Sequence, residues 1–133
     1  MILDAKDMIL GRLASYAAKK ALLGESIDII NCEDAVVSGN KKSTLMAYKE
    51  RMQRGSRTRG PFNRRKPGMF VKRVIRGMLP YKKEIGKKAL KRIRCHTGTP
   101  DKLKDKKPEQ LDKMTISKLT VVKYAKVKEI CRI

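Results

Sequence analysis

The chain has 133 residues, 41% hydrophobic and 35% charged, with 34 Lys and Arg against 13 Asp and Glu for a net charge of +21. That size sets a single domain spanning 1–133 as the expectation, and the hydrophobic share excludes a wholly disordered chain. No apolar run approaches the about 18 residues of a membrane span, and the opening Met1-Ile2-Leu3-Asp4 lacks a signal-peptide layout, so a cytoplasmic location is expected.

Residues 1–5 read as a short buried strand. A helix is predicted over 10–23, because Leu10, Leu13, Ala14, Ala17, Ala18, Ala21 and Leu22 follow the i, i+3, i+4, i+7 rule, and Gly24 is a suitable terminator. The β-branched run 27–31 is a second strand. Strand, helix and strand within about 30 residues make a βαβ unit with parallel strands. A strand over 35–38 ends at Gly39-Asn40, and Asn40 is a good N-cap for a helix over 41–52 with Leu45, Tyr48 and Met52 as its apolar edge.

From 54 to 68 helix breakers alternate with cations, and there is little to bury, so an open loop is expected. Two amphipathic helices follow. In the first, Phe70, Val71, Val74, Ile75 and Met78 share one face and Lys72, Arg73 and Arg76 the other, with a stop at 77–80 where Pro80 breaks the pattern. In the second, over 84–92, Ile85, Ala89, Leu90 and Ile93 oppose Lys83, Lys87, Lys88 and Lys91. Residues 93–96 suggest a strand and 101–108 a mixed-charge connection. Residues 114–117 suggest another strand. The stretch 120–133 fits either element, and a helix is favoured.

Charge is distributed unevenly along these elements. The first 50 residues carry 7 basic and 7 acidic side chains, residues 51–94 carry 17 basic against the single acid Glu84, and the last 39 carry 10 against 5. So local an excess repels itself in a compact chain unless an outside polyanion neutralises it. The blandest explanation, a solvated surface, conflicts with the 10 basic residues and no acid in 51–76, since surfaces built for solubility mix their signs. The block is also rich in arginine, whose planar fork matches phosphate oxygens two at a time. A nucleic acid is therefore the favoured partner, ahead of a membrane surface.

RNA is favoured over DNA because no helix-turn-helix, finger or basic-zipper pattern is present to enter a major groove. Aromatics are only 5%, too few for a broad stacking platform, although Phe62 could take one unpaired base. The candidate RNA-binding residues are Arg51 and the loop residues Arg54, Arg57, Arg59, Phe62, Arg64, Arg65 and Lys66. Lys72, Arg73, Arg76, Lys82, Lys83, Lys87 and Lys88 join them from the two helices, and Lys41 and Lys42 from a helix start. The alternative in this class is a DNA-compacting or chaperone-like binder.

Enzymatic readings are weak. A phosphate loop around Lys42-Ser43 would need glycines where the chain has Val36 and Lys41, and glycines are what allow backbone N–H groups to wrap phosphates. His96 is the only histidine and has no evident orienting partner, so it reads as a surface residue or a phosphate contact. Asp4 and Asp7 are read as capping groups. Cys32, Cys95 and Cys131 have no metal-ligand spacing and read as small apolar residues. No cofactor, metal or small-molecule substrate is implied.

The motifs Leu3-Asp4-Ala5, Leu10-Gly11-Arg12-Leu13-Ala14-Ser15, Asn31 and Val37-Ser38-Gly39-Asn40-Lys41 occur in one order. They are followed by Ile75-Arg76-Gly77-Met78-Leu79-Pro80, by Gly86 and Leu90, and by the turn 94–98. Together they resemble the large-subunit ribosomal protein L-thirteen family, closely as far as about residue 100 and loosely beyond. The resemblance implies a three-layer α/β/α fold around a small, mostly parallel central sheet, with a basic extended loop and no catalytic activity. It also implies a place in the large ribosomal subunit, with large-subunit rRNA and neighbouring large-subunit ribosomal proteins as partners and early entry into assembly. The 54–68 segment departs from bacterial members in an archaeal or eukaryotic style.

Overall fold

A computed structural model describes residues 1–119 and 123–132. The first unit is β1 (Ile2–Asp4), α1 (Leu10–Leu22) and β2 (Ile27–Ile30), with the two strands parallel and Leu3 opposite Ile29. The chain then forms β3 (Val36–Ser38), α2 (Lys41–Gln53), α3 (Pro67–Met78), α4 (Glu84–Lys91) and β4 (Ile93–Cys95). β4 returns to lie parallel to β2, with Ile29 opposite Cys95, so the central sheet runs β1-β2-β4. The result is the expected mixed α/β fold on a small parallel sheet.

The end of the chain departs from expectation. Residues 124–126 form β5 (Tyr124–Lys126), antiparallel to β3, and only Val127–Cys131 is helical, as α5. Part of the stretch read as a helix, residues 120–122 and 133, lies outside the described residues. The strand expected over 114–117 is instead two single 3-10 turns, Asp112–Met114 and Ile116–Lys118, with Thr115 between them bridging to Met8. In both places the deciding backbone partner comes from the first 40 residues, and no local pattern announces it.

One hydrophobic cluster joins the sheet to the helices. α1 buries Leu10, Leu13, Ala14, Ala17, Ala18 and Ala21, as its periodicity requires. Four alanines on that stripe leave room for a close neighbour, because interaxial distance depends on side-chain size at the contact. That neighbour is α3, which buries Phe70, Val71 and Ile75. Burying an aliphatic side chain of this size contributes about 1.5–3 kcal/mol.

Three positions assigned to apolar faces do not reach the core. Ile85 is 66% exposed, Met78 43% and Leu22 41%. α4 meets the rest of the protein through its small residues, Gly86 and Ala89, which are buried. A Cβ on Gly86 would sit 2.2 Å from the Pro80 carbonyl oxygen, so the turn after α3 lies directly on the α4 backbone. That approach turns Ile85 outward.

Most acids of the neutral first part are engaged within the fold. Asp4 is a local turn acceptor, taking hydrogen bonds from the Lys6 N–H and the Asn31 amide, both at 2.9 Å. Asp7 caps no helix, contrary to expectation; it pairs with Lys126 at 3.3 Å. Asp34 holds Lys128 at 3.1 Å and Lys126 at 3.7 Å, and Glu129 on α5 holds Lys41 at 2.6 Å. His96, partly exposed, faces Asp28 at 3.3 Å, a partner that the sequence did not indicate. Cys32 is buried and Cys95 half-buried. The Cys32 thiol donates to the Ile29 carbonyl at 3.6 Å, and the neighbouring Cys95 thiol and burial push its pKa up.

Two outcomes follow from this packing. Gly86→Ala forces backbone to move and should lower the unfolding free energy by about 2 kcal/mol or more in a urea melt. Gly77→Ala, in α3 with nothing within 4 Å of its Cβ, should raise it by about 0.5–1 kcal/mol. The ion pairs at the C-terminal segment carry a pH dependence. The hydrogen bond from Lys128 holds Asp34 below the usual carboxylate range, and that from Lys41 does the same for Glu129. Carboxylates depressed in the folded state stabilise it above their unfolded pKa, and that contribution disappears as pH falls through the folded value. Amides of α5 should therefore lose hydrogen-exchange protection below about pH 4, while those of α1 keep theirs; equal loss in both would refute this account.

Candidate nucleic-acid interface

The basic block begins on α2. Asn40 caps this helix as expected, its side-chain oxygen accepting the Lys42 N–H at 3.1 Å. α2 has no fully buried residue. It is held by half-buried Leu45 and Tyr48, the latter edge-on to Phe70 with ring centroids 5.4 Å apart. Lys41 is turned toward Glu129, whereas Lys42 is exposed and, among the described residues, forms no ion pair.

The segment after α2 has more internal structure than an open loop. Ser56 and Gly60 exchange two backbone hydrogen bonds, at 3.1 and 2.9 Å, and this closes a tight turn with Arg57 and Arg59 at its tip. Gly55 makes the turn possible, since a Cβ there would lie 2.2 Å from the Gly60 oxygen. Asn63 then ties the loop on both sides. Its Nδ2 donates to the Arg51 carbonyl on α2 at 2.7 Å, and its Oδ1 accepts from Arg73 Nη1 on α3 at 3.3 Å. Arg73 also donates to the Phe62 carbonyl at 3.2 Å. The expectation of an open loop fails because polar side chains and backbone, rather than apolar burial, supply the partners. α3 starts at Pro67, so the loop ends one residue earlier.

The structure brings many of the candidate residues together. Phe62, 62% exposed, shares a groove of about 420 Å³ with Arg64, Lys72, Arg73 and Arg76. Arg54, Arg57 and Arg65 line an adjoining hollow that Phe62 also borders. Arg51 and Arg64 meet Arg73 at a third hollow between α2 and α3. Arg59 extends from the turn and Lys66 precedes α3, both exposed. Lys82, Lys83, Lys87 and Lys88 are exposed around α4 but line none of these hollows.

The cations are almost without internal counter-ions. Among the described residues, Lys88 with Glu84, at 4.0 Å and well exposed, is the one ion pair whose cation comes from 51–94. Such an exposed pair contributes almost nothing. The other ion pairs among the described residues join acids to Lys20, Lys41, Lys104, Lys126 and Lys128, or to His96. The block's positive potential therefore projects outward undiminished.

Sequence reasoning missed the groups that orient these cations. The Arg51 guanidinium lies over the Tyr48 ring at 5.3 Å, and that of Arg76 over Tyr81 at 4.4 Å. Arginine stacked on a ring keeps its outer N–H groups available for an anion. The Tyr48–Arg51 pair has helical i, i+3 spacing and was visible in principle; Asn63, bridging two helices, gave no such signal.

With this geometry in hand, comparison with known proteins is direct. The sequence pattern of the family described as Ribosomal protein L13 matches residues 1–102. The large ribosomal subunit protein uL13 of Methanosarcina barkeri is 42% identical over 130 residues, covering 97% of this chain and 93% of the relative. The uL13 proteins of Archaeoglobus fulgidus and Methanopyrus kandleri are 39% and 38% identical, and they cover 98% and 97% of this chain and 85% and 82% of their own lengths. The archaeal relatives thus align through the segment beyond residue 102, where the sequence resemblance was loose. The archaeal style of the loop agrees with that affinity. The chain belongs to the ribosomal protein L13 family.

Proposed function

We propose that this protein is a structural constituent of the large ribosomal subunit that binds large-subunit rRNA, with the ribosome in the cytoplasm as its site. The loop 54–66 and the basic sides of α3 and α4 form the binding face, and the protein enters assembly early. The role has no chemical step. The carrying observation is the dense set of arginines on 51–76 with no carboxylate partner among the described residues. The core of α1, α3 and the parallel sheet fixes the members of that set carried on α3, and rRNA phosphates supply the missing negative charge. Phe62, exposed among cations, offers its ring to an unpaired base. Surfaces away from the block are left for neighbouring ribosomal proteins.

The reading predicts strongly salt-dependent binding. A protein that neutralises six to ten phosphates loses about 10³–10⁵ in affinity between about 50 and 200 mM salt. Filter binding to a large-subunit rRNA transcript should show such a slope, and Arg57→Ala and Arg59→Ala should each reduce it by about one unit. Affinity that barely changes with salt would overturn the assignment. So would absence of the protein from salt-washed large subunits in sucrose gradients.

A further inference from the structure

The hollow between α2 and α3 differs from the rest of the basic face. Its volume is about 240 Å³, and its floor is apolar, made by Tyr48, Phe70 and Val74. Its mouth carries Arg51, Asn63, Arg64 and Arg73. An apolar slot ringed by cations suits a ligand that is flat and uncharged at one end and anionic at the other. A nucleotide displaced from its stack has that form: a base with a π face and a phosphate on either side.

We infer that this slot receives one extruded base of the bound RNA, seated against the Tyr48 ring while the flanking phosphates lie on Arg51, Arg64 and Arg73. The inference rests on the proposed rRNA-binding role and names a recognition element within it. Three observations support it beyond shape. Tyr48 is set at 63° to Phe70, so the two rings form a corner rather than a closed stack. Arg51, 5.3 Å from the Tyr48 ring, sits where it can flank a base and reach a phosphate together. Asn63 fixes both walls, because it hydrogen-bonds to α2 through the Arg51 carbonyl and to α3 through Arg73. The slot is therefore formed before any ligand arrives. Among the described residues, Asn63 keeps one donor hydrogen and one acceptor lone pair unused, with which to read a base edge.

The slot also distinguishes this site from Phe62, which stands on an open groove where a base would stack on the surface without being enclosed. A base enclosed between α2 and α3 loses contact with water, and its Watson–Crick edge becomes inaccessible to modifying reagents.

The test uses the full chain with a large-subunit rRNA transcript and base-specific chemical probing, together with filter binding across a salt series. Two variants fill the slot without removing a cation, Val74→Phe on α3 and Met52→Trp on α2, the latter at a half-buried position on a helix with no buried residue. Circular dichroism and thermal melting check that each folds. The wild type should protect one unpaired base strongly. Either folded variant should restore that base's reactivity and weaken binding about tenfold, as expected for loss of one stacked base, with the salt slope unchanged. No protected base in the wild type, or protection that persists in the filled variants, overturns the inference, provided that salt-dependent binding is intact. Loss of salt-dependent binding by the wild type would instead overturn the rRNA-binding assignment itself.

Discussion

The structure depends on how its charges are divided. Acids from the first part of the chain and from α5 take up lysines of α2 and the C-terminal segment: Asp7 and Asp34 hold Lys126 and Lys128, and Glu129 holds Lys41. Those contacts close β5 and α5 over β3 and complete the core with Ala125, Val127 and Ile130. Because these acids face lysines from outside 51–94, they do not fold back on the arginine block. The pairings that finish the fold thus leave the basic block without those counter-ions. A chain with the same composition but with its acids distributed evenly could build the same core and would present a far weaker field.

The parts of this arrangement readable from sequence were those governed by local spacing. The alanine stripe of α1, the β1–α1–β2 unit and the Asn40 cap each follow from rules acting over a few residues. The candidate site was readable as a charge density and as the exposed Phe62. What could not be read depends on partners distant in the chain. β5 is a strand because β3 lies beside it, and Thr115 is extended because Met8 bridges to it. Ile85 had the spacing of a core residue, but the nearness of Pro80 to Gly86 gives the contact to the small residues of α4. The slot between α2 and α3 was hidden for a similar reason. Tyr48 and Phe70 belong to different helices, and the residue that joins their walls is a single asparagine in a loop marked by its arginines.

The arginines therefore differ in kind, although sequence alone treats them as one block. Arg73 is part of the scaffold as well as the surface, since it binds two acceptors in the loop. Arg51 and Arg76 are oriented by tyrosine rings. Arg57 and Arg59, at the tip of the turn, have no such restraint among the described residues and keep the freedom of an ordinary surface side chain. The face thus grades from fixed to adaptable between α3 and the tip, which suits a partner whose backbone is regular in one region and irregular in the next.

The two-sided tether made by Asn63 bears on speed as well as strength. A loop that must find its conformation on a partner divides each encounter into a capture and a slower search. Here the hydrogen bonds of Asn63 and Arg73, and the Ser56–Gly60 turn, have already removed much of that search while the protein folds. Ordering entropy of about 1–2 kcal/mol per fixed residue is then not subtracted from association. In the proposed rRNA-binding role, the timing of arrival is then left to diffusion and the long-range field, and recruitment follows as soon as the target is exposed.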